Sequence, residues 1–176
     1  ILWWSPDPRW VLAPAEVRIS RSLGKRLKRG EFNLTCDRAF ADVVRACAEP
    51  RSGADVTWIN PAMQRAYLRL HQAELAHSFE VWRETELVGG LYGVGIGQVF
   101  FGESMFHRMT DASKVAFVRG CQKLNNWGYR LIDCQVHTAH LESLGAHQIP
   151  RAEFVRALNA LCDAPVTEEA WRETST

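Results

Sequence analysis

The spacing of apolar positions changes along the chain, and the changes mark out its elements. Trp3 to Trp10 holds two prolines and three tryptophans in eight residues, which excludes a helix and predicts an ordered loop or edge segment. Val17 to Ser20 reads as a strand, and Ser20 or Ser22 can cap a short helix ending near Gly30. Glu31 to Cys36 alternates as a strand does. Asp37 can cap the helix that follows, where Phe40, Val43, Val44 and Cys47 recur at i, i+3, i+4 and i+7. Pro50 ends that helix and a polar loop follows. Asn60 is the next N-cap, with Pro61 at the first helical position and Met63, Ala66, Tyr67 and Leu70 along one side.

Ser78–Arg83, Leu87–Val94 and Gln98–Met105 read as three successive strands, joined by turns at Glu84-Thr85-Glu86 and Gly95-Ile96-Gly97. Asp111 opens a helix carrying Phe117, Cys121 and Leu124, and Gly128 closes it. Tyr129–Val136 follows as a strand apolar enough to be buried. A short helix and a last one with Phe154, Leu158 and Leu161 complete the chain. Helices flanking a strand meander, then a helix-strand-helix unit, predict an α+β fold with a mixed sheet. A length of 176 residues at 47% apolar content suffices for one core.

The net charge of +1 demands no polyanionic partner, but its distribution changes that reading. Between Val17 and Gly30 stand six basic residues and no acidic one, and Arg21, Lys25, Lys28 and Arg29 are spaced to share a helix face. A polyanion would feel that face. The five cysteines are odd in number, widely spaced and without a C-x-x-C pair, which argues for a reducing compartment and against zinc. No apolar run approaches the roughly 18 residues of a membrane span, and no signal peptide is evident, so a soluble cytoplasmic protein is expected. The chain starts at Ile1, without an initiator Met, inside Ile-Leu-Trp-Trp-Ser-Pro, and reads as continuing a segment that precedes it.

Candidate chemistry narrows quickly. The glycines of Gly89–Gly97 mimic a dinucleotide fingerprint, but they join two strands instead of leading into a helix; a bulge or a close backbone approach is the better reading. Cys134, His137 and His140 are too few for a supported metal site, and Cys134 points away from Asp133 and Gln135 into the interior. Asp133 and Gln135, at i and i+2, present a carboxylate and an amide on one face of a strand made interior by Ile132, Cys134 and Val136. Buried polar groups need partners, so this pair is a site candidate and not a solvated face. Glu103, a lone acid among Phe100, Phe101, Met105 and Phe106, is the second candidate; its plainer alternative is a strand-end acid paired with Lys114 or Arg108.

At these residues the chain resembles the leucyl/phenylalanyl-tRNA-protein transferases. The matching blocks, in family order, are Trp-Trp-Ser-Pro-Asp-Pro-Arg at 3–9, Glu-Val-Trp-Arg at 80–83, Leu-Val-Gly-Gly-Leu-Tyr-Gly-Val at 87–94, Gly-Glu-Ser-Met-Phe at 102–106 and Leu-Ile-Asp-Cys-Gln-Val at 131–136. Ser-Leu-Gly-Ala at 143–146 with Ile-Pro-Arg at 149–151 closes the series. The resemblance implies an N-acetyltransferase-like mixed sheet flanked by helices, used without coenzyme A, other cofactor or metal. In keeping with this, His107-Arg108-Met109-Thr110 stands where acetyl-CoA users carry a Gln/Arg-x-x-Gly-x-Gly/Ala phosphate loop. Residues 31–176 would form the acyltransferase domain and 1–30 the remainder of an N-terminal region with the basic tRNA-binding helix.

The donor implied is an aminoacyl-tRNA carrying Leu, Phe or, less well, Met. The acceptor is a protein with N-terminal Arg or Lys, which transfer marks for N-degron proteolysis; no membrane is involved. Carried over position by position, Asp133, Gln135 and Glu103 are the catalytic set. Trp58, Tyr67, Leu91, Phe100, Gly102, Met105 and Ile132 form the donor pocket, and Arg21, Lys25, Lys28 and Arg29 hold tRNA phosphates. Family members have a further N-terminal segment that adds aromatics to the pocket, so the resemblance implies impaired activity for a chain starting at Ile1. One family mechanism relays a proton from Asp133 through Gln135. An amide is a very weak base and a free α-amine has a pKa of about 8, so positioning the reactants is the expected role. A non-catalytic tRNA-binding module would have no use for Asp133 and Gln135.

Overall fold

The computed structural model describes residues 5–50 and 57–172. Its elements are β1 (Arg9–Leu12), a 3-10 turn (Pro14–Glu16), α1 (Arg21–Lys28), β2 (Asn33–Cys36), α2 (Phe40–Cys47), α3 (Pro61–Gln72), β3 (Ala76–Arg83), β4 (Glu86–Ile96), β5 (Val99–His107), α4 (Ala112–Asn126), β6 (Leu131–Gln135), α5 (Ala139–Ser143), β7 (His147–Ile149) and α6 (Arg151–Leu161). All seven strands join one sheet in the order β2-β3-β4-β5-β6-β1-β7. Among the described residues only β5 and β6 pair in parallel, and such a pair needs a crossover, which α4 supplies. This is the expected α+β architecture, a mixed sheet flanked by helices.

Alternation along the strands divides the core between the two faces. On β4, Leu91 packs with Val115, Ala116, Cys121 and Leu124 of α4, whereas Tyr92 packs with Phe40 and Val43 of α2 and Tyr67 of α3. A third cluster joins Val11, Val99 and Leu131 to Phe154 of α6. Full burial of a ring such as Phe79 or Tyr92 contributes on the order of 2 kcal/mol, so this alternation also fixes the strand register. Residues 1–30 supply Leu12 and Leu23 to the same cluster as α4.

Several boundaries differ from the sequence reading. Trp3, Trp4 and most of the polar loop after Pro50 lie outside the described residues. The segment expected as loop or edge contains β1, which lies inside the sheet between β6 and β7, with Arg9, Val11 and Leu12 buried. Val17–Ser20 is not a strand: it follows the 3-10 turn outside the sheet, tied by Arg18 N–H donating to the Leu144 carbonyl at 2.8 Å. Asp37 does not cap α2, whose N-cap is Ala39. Its backbone is left-handed (φ 58°), and its carboxylate accepts Ser78 N–H at 2.7 Å and meets His77 Nδ1 at 2.7 Å. A tertiary demand thus outbids the local cap. Asn60 does cap α3, accepting from the Ala62 and Met63 amides, and Ser20 caps α1 through Leu23 N–H. β7 escaped the sequence reading because three residues are too few to show a period.

Candidate functional site

The site grows from the parallel pairing of β5 with β6. β5 and β6 match Val99 with Leu131, Phe100 with Ile132 and Phe101 with Asp133, and there the ladder ends. Just past it stand Glu103 and Gln135, which line a cavity of about 780 Å3 whose wall includes Leu91, Phe100, Met105, Phe117, Leu124 and Ile132 and, among charged residues, Glu49 and Arg108. Gly102 also lines it. Trp58 and Tyr67 are not on its wall: Trp58 is 52% exposed and meets the Tyr67 ring edge-on at 6.3 Å. Tyr67 reaches the site by a hydrogen bond to Glu103. The α4 residues Phe117, Cys121 and Leu124, expected only as a core stripe, wall the cavity together with Gly120.

Asp133 has no exposed surface. Arg9 grips its carboxylate with both arms of the guanidinium fork, Nε to Oδ1 at 2.9 Å and Nη2 to Oδ2 at 2.6 Å. Oδ1 also accepts the Gln135 backbone N–H at 2.9 Å. Gln135 needs that support, because its backbone is left-handed (φ 65°), a conformation that non-glycine residues adopt at a cost of roughly 1–2 kcal/mol. This turn aims the side chain, whose Nε2 donates to the Gly102 carbonyl at 2.8 Å and whose amide also interacts with Glu103. Glu103 therefore accepts from both Tyr67 and Gln135, while burial, the larger effect, holds its pKa above the usual carboxylate range. Arg9 is the residue that reading the sequence missed. It sits in the Ser-Pro-Asp-Pro-Arg block beside a buried strand, and a basic residue entering a buried strand is the signal that could have found it.

Between the polar pair, Cys134 is buried and its thiol is pushed up to about 12 by burial and then by Asp133. It is poorly suited to nucleophilic chemistry. His137 is exposed, pairs with Glu142 at 2.9 Å and lies against Trp10. His140 is half-buried and its pKa is lowered by burial, then by Lys114 and His107. No group of three potential metal ligands occurs among the described residues. No helix among them is long and apolar enough to cross a membrane.

On α1, Leu23 faces the core while Arg21, Lys25, Lys28 and Arg29 are exposed. Arg26 is drawn aside toward Glu31 at 3.5 Å and over the Phe32 ring, and Arg29 also approaches Glu31, at 3.7 Å. The exposed basic face is real, with Arg29 partly neutralised.

The Gly89–Gly97 glycines serve the sheet. The β4–β5 register slips between Tyr92 and Gly93, and a Cβ on Gly93 would lie 2.3 Å from the Phe101 carbonyl oxygen. This bulge is the one expected in place of a nucleotide loop.

The chain is similar to known proteins in fold and in sequence. A GCN5-related N-acetyltransferase from Kribbella flavida aligns over 81% of this chain and 55% of its own, with TM-score 0.47 and 10% identity. L-PGS from Bacillus licheniformis aligns over 77% of this chain and 49% of its own, with TM-score 0.53 and 12% identity, a likeness of fold alone. The chain thus spans about half of each of these solved structures. A leucyl/phenylalanyl-tRNA-protein transferase from Stutzerimonas stutzeri is 57% identical over 98% of this chain and 76% of its own length. Residues 11–159 match the family described as leucyl/phenylalanyl-tRNA protein transferase, and with that match and that identity the chain belongs to this family of transferases.

Proposed function

We propose that the protein transfers Leu or Phe, and less well Met, from aminoacyl-tRNA to the N-terminal Arg or Lys of acceptor proteins, marking them for N-degron proteolysis. The observation that carries this reading is the polar set Glu103, Asp133 and Gln135 lining a largely apolar cavity. The cavity takes the donor side chain. The apolar part of its wall, with Leu91, Phe100, Phe117, Leu124 and Ile132, favours bulky apolar groups by shape and rejects charged ones, whose desolvation would go uncompensated there.

The reaction is aminolysis. The acceptor amine attacks the ester carbonyl, a C–N bond forms, and the ribose oxygen leaves with the proton the nitrogen loses. Gln135 Nε2 is held by the Gly102 carbonyl, and its Oε1 receives an N–H of the attacking amine and aims the nitrogen lone pair. Asp133 holds the turn that presents this amide. Both its oxygens already serve Arg9, which argues against a second duty as base.

Glu103 receives the acceptor's cationic first side chain through a charge-assisted contact. An assay with Leu-tRNA and two peptides, one starting with Arg and one with Ala, tests the reading. Wild type transfers Leu to the Arg peptide and discriminates against Ala. Glu103→Gln loses most of that preference, by about tenfold or more, with donor binding kept. Because the Glu103 pKa is raised, the preference fades as pH falls through a range above that of an ordinary glutamate. Equal loss on both peptides would assign Glu103 a different role.

The exposed face of α1 holds the tRNA through its phosphates, an interaction that brings affinity and little sequence discrimination. For the double variant Lys25→Gln/Lys28→Gln, the slope of log affinity against log salt should become shallower by roughly two, one per lost phosphate contact. An unchanged slope in a filter-binding titration would place the tRNA elsewhere.

A further inference from the structure

We propose that Arg9 is a positioning residue for the transfer reaction, acting through Asp133 on the backbone turn that aims Gln135. The inference rests on the aminoacyltransferase reading above and extends it to a residue in a different strand. The chain of contacts is continuous. Arg9 binds both oxygens of Asp133, at 2.9 and 2.6 Å, and one of those oxygens accepts the Gln135 N–H at 2.9 Å. The fork fixes the plane of the carboxylate, and that plane decides where the lone pair facing Gln135 points. Without the fork, Asp133 can rotate, and the left-handed turn at Gln135 loses the acceptor that stabilises it.

Arg9 is itself held firmly. Its guanidinium lies 5.2 Å from the centroid of the Phe154 ring on α6, and the residue is only 9% exposed. The segment before it is braced to the first residue of α6: Arg151 N–H donates to Asp7 Oδ1 and Arg151 Nη1 to the Ser5 carbonyl, both at 3.0 Å. The β1–β6 register also slips between Trp10 and Val11, opposite Gln135 and Asp133, and bulges beside active sites commonly re-aim a side chain. Arg9 thus connects α6 and the N-terminal segment to the amide that lines the cavity.

A lysine can keep the charge but cannot make the two-pronged contact. Arg9→Lys should lower kcat about 100-fold, the scale of a misplacement near 1 Å, while the KM values for Leu-tRNA and an Arg-initiated peptide stay near wild type. A second variant, Arg9→Gln/Asp133→Asn, removes both charges together; it should melt close to wild type yet remain slow. The test is steady-state transfer by both variants, per folded molecule, alongside thermal melting. A folded Arg9→Lys protein with wild-type kcat would overturn the proposal. So would wild-type kcat in the neutral pair, which decides the matter if Arg9→Lys does not fold. Failure of wild type to transfer Leu at all would instead remove the aminoacyltransferase reading, and this inference with it.

Discussion

Replacing Gln135 by Ala is expected to lower the transfer rate about 100- to 1000-fold while leaving the fold intact. The magnitude is that of removing one fixed hydrogen-bonding group from a reacting centre. The fold survives because little of it depends on the amide: the backbone N–H that Asp133 accepts is kept, and Ala is no worse than Gln at φ 65°. What is lost is the bond to Gly102, the bond to Glu103 and the acceptor Oε1. Gln135→Asn is a sharper probe, since Asn tolerates the left-handed region well but its amide is one methylene shorter. It should fold as well as wild type and still be slow. Single-turnover transfer from bound Leu-tRNA measures this step directly, and a wild-type rate in Gln135→Ala would end the positioning role.

How far these residues could be read from the sequence depended on where their partners lie. Asp133 and Gln135 were legible because a carboxylate and an amide alternate with apolar residues inside one short strand. The basic face of α1 was legible because its charges recur at helical spacing next to a capping serine. Arg9 was not, because its partner is 124 residues away and the Trp- and Pro-rich run before it reads as a loop. The turn at Gln135 was hidden for another reason: Gln is not a residue that announces positive φ, and only the bond from Asp133 makes the conformation affordable there. The α4 wall of the cavity shows the same limit, since a stripe of Phe117, Cys121 and Leu124 marks a buried face without saying whether that face meets side chains or a ligand. Local pattern therefore fixes elements and faces, and long-range pairing sets the chemistry.

Asp133→Ala is expected to be the most damaging change to stability, at about 3–5 kcal/mol. Total stabilities of domains lie near 5–15 kcal/mol, so such a loss takes a large share of what holds the fold. The reason is what it leaves behind. Arg9, 9% exposed, would keep a charged guanidinium with both acceptors removed, and the Gln135 N–H would lose its partner as well. The loss measures that exposed debt and not the net worth of the pair, because desolvating both ions offsets most of their attraction. The double variant Arg9→Met/Asp133→Leu, which replaces the pair by apolar side chains, should therefore recover most of the lost stability while remaining inactive. Urea denaturation gives the comparison: the midpoint should fall sharply in Asp133→Ala, return in the double variant, and show no change in the m value. If the double variant were as unstable as the single one, the ion pair would be contributing net stability, and its retention would need no catalytic explanation.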